Sequence, residues 1–482
     1  MHPLDRLARL DATAQTTLVE RRELTPLDLL AAAQRRYEAI NPLVRAIVSV
    51  DFDAARERAA RSEGGSPRLF AGVPFACKDL LMVPGMRCAF GSRLLARNVA
   101  NAGSPFTKKL DEAGLVTFAK TSTSEFGLLG STETLADGIT HNPWNLSLSA
   151  AGSSGGAAAA VAAGLVALAH ASDGGGSVRI PAAANGVFGF KPSRGRTAPS
   201  APTTSSFDAL VSDGCVSRSV RDAARWLRAV QSDECALEPL PTSAAERAPR
   251  LRIALALRSL MGTEPSSEVR RAIEQTAQLC RELGHTVIED DVLTREADDS
   301  SNGRALSDAF FAGAGLSLGA MCAMFATMLG REPGPEELEP FTLAVIAHAR
   351  TLGAEAPAMV RRTFERCAAR YLAATQHYDV ILTPVIAQRP WQLGWLSPLL
   401  SREELLRRTE SAVCYTPIQN VAGCPAMSVP LCWADDETPI GSHFAAAPGR
   451  DSSLLSLAFE LEQARPWADR WAPHSFVRAY GA

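Results

Sequence analysis

Hydrophobic and polar positions alternate along the chain in a pattern typical of an α/β protein. Short apolar runs predict buried strands, and apolar residues at helical spacing predict helices between them. Strands are predicted over 72–77, 115–119, 166–169, 251–257, 286–291 and 378–383, and helices over 25–41, 104–113, 156–163 and 268–283. Because strands and helices alternate, the pattern favours an α/β fold built in layers.

Helix boundaries are indicated by individual residues. Thr25 is a predicted N-cap, Pro26 suits the first helical position, and Asn41-Pro42 is where this first helix is expected to stop. Farther along, residues 305–375 form a Met- and Phe-rich helical section. Its residues Phe310, Phe311, Met321, Cys322, Met324 and Phe325 are predicted to be core, with a substrate-facing role open for some of them and for Trp391 and Trp395.

Composition narrows the class of protein. The 482 residues are 46% hydrophobic and 21% charged, with a net charge of -3 and no block of like charge. We therefore expect a soluble globular protein with no nucleic-acid partner and no affinity for an anionic membrane. The longest apolar run, 155–171, is too short to cross a bilayer comfortably.

The ten cysteines are scattered, with no Cys-x-x-Cys pair and no histidine partner at zinc spacing. Free thiols, a cytoplasmic location and no metal site are the expectation. The N-terminus lacks the apolar core of a signal peptide.

Two glycine-flanked serine sites carry the candidate chemistry. The first is Gly152-Ser153-Ser154-Gly155-Gly156 and the second is Asp173-Gly174-Gly175-Gly176-Ser177. Glycines around a serine allow backbone N–H groups to face a developing oxyanion, which requires a nucleophile beside them. We interpret Ser177 as that nucleophile, although such clusters taken singly are also typical of turns and flexible loops.

Lys78 is the candidate base. It follows the apolar run 73–77, so burial is expected. A serine hydroxyl needs a base to take its proton, and a lysine can do so only when burial lowers its pKa from ~10.4 toward ~7–8. Ser153 could bridge the two by accepting one proton and passing on another.

At these residues the chain resembles the amidase signature family, hydrolases with a Ser–cis-Ser–Lys triad. The motif GGSSGG is matched by 151–156, D-x-GGS-[IV]-R-x-P by 173–181, G-[FL]-KP-[ST]-x-GR by 189–196, and the strand-end Lys-Asp by 78–79. The match is dense over about 70–221 and returns at 415–430 and 439–441. Ala151 and Asn185 depart from the pattern, where glycine and cysteine are common.

The resemblance implies one amidase domain over 1–482 with a central twisted mixed β-sheet covered by helices. Its parts are expected to be an N-terminal helical region (1–65), a signature core (66–230), a linker (231–250) and a part that completes the sheet (251–482).

The resemblance also implies a role for each matched residue. Ser177 would form an acyl-enzyme, Ser153 would bridge through a cis peptide bond, and Lys78 would act first as base and then as acid. The oxyanion hole would be the backbone N–H groups of Gly174, Gly175, Gly176 and Ser177. The residues bracing these loops would be Ser154, Asp173 and Arg179. No metal or cofactor is expected.

The first serine site also matches the motif of a different class of hydrolase, and this alternative stays open. Residues 152–156 also satisfy G-x-S-x-G, the nucleophile elbow of α/β-hydrolases. Ser154 would then attack, with an Asp and one of His285, His348, His377 or His443. A phosphate loop is disfavoured because no Gly-Lys-Ser/Thr follows the triple glycine.

The expected function is hydrolysis of the C–N bond of small, largely apolar amides, with ester or urethane cleavage as a side activity. Residues 141–145 and 169–173 resemble the branch of the family acting on 6-aminohexanoate oligomers. Two alternatives remain: a glutamine-hydrolysing subunit of a tRNA-dependent amidotransferase, disfavoured by Ile180 and Val413, and a catalytically silent binding protein. A homodimer is left open.

Overall fold

A computed structural model describes residues 2–62, 68–243, 249–294 and 301–481. The predicted linker over 231–250 lies partly outside these ranges, and the predicted boundary between residues 65 and 66 lies wholly outside them. Within them the chain forms a single α/β domain with a central sheet of 11 strands flanked by helices, which confirms the predicted fold class.

The strands are numbered in chain order, and two short hairpins lie outside the main sheet. The strands are β1 (Ile47–Val50), β2 (Pro74–Lys78), β3 (Val116–Thr121), β4 (Glu133–Thr134), β5 (Gly138–Ile139), β6 (His141–Asn142), β7 (Asn145–Ser149), β8 (Leu168–Asp173), β9 (Phe188–Lys191), β10 (Ser212–Ser217), β11 (Arg252–Leu255), β12 (Thr286–Glu289), β13 (Val380–Pro384), β14 (Ala426–Trp433) and β15 (Pro439–Ala446). The sheet order is β1-β3-β2-β8-β10-β9-β14-β15-β13-β11-β12, with parallel pairs at β2–β3, β2–β8, β11–β12 and β11–β13 and antiparallel pairs elsewhere.

The helices cover both faces of this sheet. They are α1 (Ala12–Glu20), α2 (Pro26–Val44), α3 (Phe52–Arg61), α4 (Pro105–Glu112), α5 (Gly155–Ala162), α6 (Arg179–Asn185), α7 (Val220–Ala229), α8 (Ser267–Glu282), α9 (Ser301–Leu329), α10 (Pro340–Thr351), α11 (Ala356–Thr375), α12 (Arg402–Ala412), α13 (Pro417–Val421), α14 (Asp451–Ala464) and α15 (Phe476–Tyr480).

The core lies on both sides of the sheet because successive strand residues face opposite ways. Leu168 of β8 packs on one side, in a cluster with apolar residues of α4, α7, α8 and α14. Ala169 packs on the other side, with α2, α3, α5 and α15. Beside that second cluster, Ile381 of β13 packs with α9, α11 and α13.

Helix α5 explains the alanine-rich segment between the two serine sites. All of its residues are buried, and it packs against β2, β8 and β10. A Cβ at Gly156 would meet the backbone of residue 46 and of Ser122. A helix this tightly enclosed tolerates only small side chains.

Most predicted elements are confirmed with shifted ends, and α2 needs a correction. Thr25 caps α2 and accepts a hydrogen bond from the Asp28 N–H at 3.1 Å, as expected. The helix continues through Pro42 to Val44 rather than stopping at residues 41–42. Pro42 lies in the last turn, where its missing N–H removes one helical hydrogen bond, and Ile40 and Val44 are buried in the core. Burial of that turn outweighs the lost bond.

The predicted helical section corresponds to α9, α10 and α11. Among the described residues, α9 alone is long and apolar enough to span a membrane, with 44% of its most apolar window buried. Phe310 and Phe311 pack against core residues, while Met324 is 64% exposed, so the core prediction is wrong for Met324. Cys322, two residues earlier, is buried in a cluster with Ile346 of α10, so Met324 lies on the opposite side of α9.

All ten cysteines are free, as predicted, and nine of them are buried.

Candidate active site

The sheet brings the two key loops together. Strands β2 and β8 are parallel neighbours, paired at Ala76 and Ala169. Lys78 ends β2 and Asp173 ends β8, so both chain segments leave the sheet at the same edge. The loop of residues 174–177, called the oxyanion loop after its predicted role, follows Asp173 directly, and Ser153 lies just before α5. Three sequence-distant segments therefore meet at one edge of the sheet.

Lys78 is fully buried and held by hydroxyl and carbonyl oxygens. Its Nζ lies 2.7 Å from Ser153 Oγ, 3.1 Å from Ser172 Oγ and 3.3 Å from the Ser172 carbonyl oxygen. Burial lowers the pKa of Lys78 to about 7, against the opposing effect of the Asp173 and Asp213 carboxylates, which raise it. A substantial share of this amine is therefore neutral at neutral pH, as a base requires.

Ser153 reaches Lys78 from a tightly constrained turn. The Gly152–Ser153 peptide bond is cis, and Ser153 is 1% exposed. A Cβ on Gly152 would lie 2.6 Å from the carbonyl carbon and 2.8 Å from the nitrogen of Ser131, so this position admits glycine only. The preceding Ala151 has a φ of 55°, in the left-handed region, which explains why glycine suits that position in other sequences.

An ion pair organises the oxyanion loop. Arg179 Nη2 donates to Asp173 Oδ1 at 2.9 Å and Arg179 Nε donates to Asp173 Oδ2 at 2.9 Å, with both side chains fully buried. Burial raises the pKa of Asp173, but Arg179 outweighs it and holds that pKa well below its usual range. The Asp173 carboxylate also accepts the N–H groups of Gly176 at 2.6 Å and Val178 at 3.1 Å.

The hydrogen bond from Gly176 to Asp173 engages one of the four N–H groups that were predicted to form the oxyanion hole. The Gly176 N–H is already donated to Asp173, so it serves the loop's own structure. Gly176 also has a φ of 129°, and a Cβ there would collide with Thr416 and lie 2.5 Å from Ile180 Cδ1. Gly174, Gly175 and Ser177 keep N–H groups that make no side-chain hydrogen bond within the described residues.

Residues near the C-terminus complete this loop, and their roles were not predicted. Thr416 Oγ1 donates to the Gly175 carbonyl oxygen at 2.7 Å. Asn420 Nδ2 donates to the Asp173 carbonyl oxygen at 2.7 Å. Both lie in the motif-matching stretch 415–430, which was the available signal. Ser172 was also missed, although it directly precedes Asp173 in β8.

Ser177 lines a cavity of about 170 Å³ together with Lys78 and Ser153. Its carbonyl oxygen accepts the Ser154 N–H at 3.3 Å, which ties the two serine loops together. In this conformation the Ser177 hydroxyl makes no hydrogen bond to any described residue, so no such bond fixes its side-chain rotamer.

The nucleophile-elbow alternative is not supported by the arrangement around Ser154. That side chain is fully buried and donates to the Ser172 carbonyl oxygen at 3.2 Å. None of its hydrogen bonds reaches a histidine: His443 is paired with Thr383 and Arg179, and His285 with Glu460.

Most of the cavity wall is apolar. The lining includes aromatic and aliphatic side chains from α9, from α13 and from segments outside the helices: Phe126, Leu128, Phe207, Leu306, Phe310, Phe311, Val413 and Ile418. Ile180 is there as well, whereas Trp391 and Trp395 are not among the lining residues. Within the described ranges, no group of three or more His, Cys, Asp or Glu side chains could hold a metal ion.

Known proteins of similar sequence and structure show the family to which the chain belongs. A family model described as Amidase matches residues 28–455. The chain belongs to the amidase family. The putative amidase AmiC of Mycobacterium tuberculosis (strain ATCC 25618 / H37Rv) is 38% identical over 475 residues, which cover 98% of each chain.

Two solved structures of the amidase family are similar over nearly the whole length. The structure of 6-aminohexanoate cyclic dimer hydrolase has a TM-score of 0.88 at 29% identity, covering 97% of this chain and 99% of that one. A bacterial aryl acylamidase belonging to the amidase signature family has a TM-score of 0.85 at 26% identity, covering 95% and 97%. The predicted resemblance to the amidase signature family is confirmed.

Ala151 and Asn185, the two residues that depart from the amidase signature, lie in the structure that supports the site. Asn185 Nδ2 donates to the carbonyl oxygens of Ala150 at 2.9 Å and Pro181 at 2.8 Å, which braces the turn before Ser153. Ala151 is fully buried. Neither residue lines the cavity, so their difference from other amidases concerns the support of the site.

Proposed function

We propose that this amidase-family hydrolase cleaves small, largely apolar amides through an acyl-enzyme on Ser177. The observation that carries the proposal is the buried pair of Lys78 and Ser153, 2.7 Å apart, at the wall of a cavity that Ser177 also lines. The lowered pKa of Lys78, about 7, gives this pair a neutral amine that can accept a proton.

In the first half-reaction, the Ser177 hydroxyl turns toward Ser153 and attacks the amide carbonyl carbon. Its proton passes to Ser153 Oγ while the Ser153 proton passes to Lys78 Nζ, leaving an ammonium and a tetrahedral oxyanion. The N–H groups of Gly174, Gly175 and Ser177 are proposed to hold that oxyanion. Each such donor is worth about 2.7–4 kcal/mol in the transition state.

Collapse of the tetrahedral intermediate breaks the C–N bond and leaves the acyl group on Ser177. The departing amine takes a proton from Ser153, which is replenished from the Lys78 ammonium, so the triad returns to its starting protonation. Water then attacks the ester carbonyl with the same proton path, and the acid product leaves with Ser177 restored.

The lining of the cavity favours substrates with small apolar acyl and amine groups. Its wall is dominated by aromatic and aliphatic side chains, Phe310 and Phe311 among them. The similar structures of a cyclic dimer hydrolase and an aryl acylamidase support the same substrate class for this chain. Esters and urethanes would form the same acyl or carbamoyl serine, so we propose them as side substrates.

Two apolar residues that line the cavity disfavour the alternative function as an amidotransferase subunit. Ile180 and Val413 occupy the two positions where a glutamine-hydrolysing subunit would carry glutamine and an acid, and both line the cavity as apolar side chains. The cysteines, all free, support the proposed cytoplasmic setting.

Release of nitroaniline from acyl nitroanilides tests the proposal. Ser177→Ala, Ser153→Ala and Lys78→Met are expected to lower kcat by about 10²–10⁴-fold or more. Ser147→Ala, which changes an exposed serine outside the cavity, is the matched control and should match the wild type. Near-wild-type turnover by Ser177→Ala would overturn the acyl-enzyme.

A further inference from the structure

One carboxylate in the cavity has no part in the proposed chemistry. Among the described residues that line the cavity, only Lys78 and Glu410 carry a charged type of side chain. Lys78 is committed to Ser153, as described above. Glu410 therefore stands as a second polar feature in a mostly apolar wall.

Glu410 lies in the last turns of α12 and faces α9. Ser307 Oγ donates to Glu410 Oε1 at 2.7 Å, and both residues line the cavity. Within the described part of the chain Glu410 makes no ion pair. The two arginines nearest to it on its own helix, Arg407 and Arg408, both pair with Glu404. The second carboxylate oxygen is thus left available to a ligand.

The position of Ser307 relative to the oxyanion loop follows from α9. Phe310 is on the same helix, and its ring lies 3.2 Å from where a Cβ on Gly175 would be. Ser307 lies three residues before Phe310, roughly 4.5 Å along the helix axis. Ser307 and Glu410 therefore line the same, mostly apolar cavity as Gly175 and Ser177.

We propose that Ser307 and Glu410 form a subsite (the cation subsite) that binds a primary ammonium group on the substrate. This inference rests on the proposed function and specifies its substrate as an amide whose apolar chain ends in an amine. A substrate filling the cavity displaces water from Glu410, and an apolar chain end would leave the second oxygen of that carboxylate without a partner. An ammonium group instead donates charge-assisted hydrogen bonds to Glu410 and one to the Ser307 oxygen.

The test uses sets of amides of equal chain length that end in ammonium, methyl or carboxylate. One set carries the variable end on the acyl chain of a nitroanilide, and a second carries it on the leaving amine. The wild type is expected to prefer the ammonium-ended member over the methyl-ended member of one set by about tenfold to a hundredfold in kcat/KM.

Glu410→Gln removes the charge at nearly constant shape and is expected to abolish that preference. Glu410→Lys, the second variant, is expected to reverse it toward the carboxylate-ended amide. Glu403→Gln is the matched control, because Glu403 is an exposed acid on the same helix outside the cavity. This control should keep the wild-type preference. A preference unchanged in both Glu410 variants overturns the cation subsite.

A binding measurement separates this inference from the proposed hydrolysis. Calorimetric titration compares an n-alkylammonium ion with the alcohol of the same chain length, on the wild type and on Glu410→Gln. If the wild type binds the ammonium ion more tightly than the alcohol and Glu410→Gln does not, the cation subsite is supported. This holds even if no amide is hydrolysed, a result by which only the proposed function would fail. Equal binding of both ligands, together with no ammonium preference in hydrolysis, overturns the cation subsite whatever the turnover.

Discussion

The buried amine of Lys78 makes a prediction about stability that is independent of any substrate. Its pKa is about 7 in the folded chain, compared with an ordinary value of 10.5. Between these two pH values the unfolded chain holds a proton that the folded chain lacks. The free energy of unfolding contributed by this group therefore rises with pH across that window.

The perturbation is Lys78→Met, which keeps a long flexible side chain and removes the titrating group. One pH unit corresponds to about 1.36 kcal/mol when a single proton distinguishes the two states. Lys78 is still half-protonated near its folded pKa, so the gain from about pH 7 to about pH 9 is roughly 2 kcal/mol. The wild type should gain that much stability relative to Lys78→Met.

The assay is urea unfolding followed by tryptophan fluorescence at several pH values across this window, for both proteins. Other titrating groups contribute nearly equally to both chains and cancel in the difference. Lys108→Met serves as the control, because the Lys108 side chain is 78% exposed and its removal should give a difference that varies little with pH.

A difference between wild type and Lys78→Met that stays constant from about pH 7 to about pH 9 would refute the reasoning. Such a result would mean that Lys78 is charged in the folded protein and unfit to accept a proton from Ser153.

Three further predictions concern activity. Asp213→Asn removes a carboxylate that raises the pKa of Lys78, so the midpoint of the acid limb of kcat/KM should move to lower pH from near 7, and an unmoved limb would contradict this. Gly152→Ala places a Cβ against the Ser131 backbone and should destabilise the fold by about 1–3 kcal/mol in urea unfolding, with loss of turnover; a fully stable, active variant would contradict this. Thr416→Val loses its hydrogen bond to the oxyanion loop and should lower kcat/KM about tenfold, whereas an unchanged rate would show that this bond is dispensable.

The sequence was most informative where the chemistry is local. The burial of Lys78 could be predicted because it ends an apolar run, and burial of such a run carries the lysine with it. Ser153 and Ser177 could be selected as candidates because each follows a glycine in a glycine-rich segment. Helix α5 and strand β8 could be predicted between them from a continuous run of small apolar residues.

Features that depend on distant segments or on the exact conformation of a loop could not be predicted. Asp213 comes to Lys78 only because β10 pairs with β8, and no local pattern encodes that pairing. The hydrogen bond from Gly176 to Asp173 depends on how the loop folds back on its own carboxylate. Glu410 of α12 meets Ser307 of α9 across 103 residues of sequence, which periodicity alone does not reveal.

The account depends on Ser177 being the residue that carries the acyl group, and mass mapping after reaction with a slowly hydrolysed aryl carbamate tests this most directly. The account predicts a single carbamoyl group on Ser177, absent from Ser177→Ala and strongly reduced in Lys78→Met. A carbamoyl group on Ser154, or labelling that persists in Ser177→Ala, would contradict it.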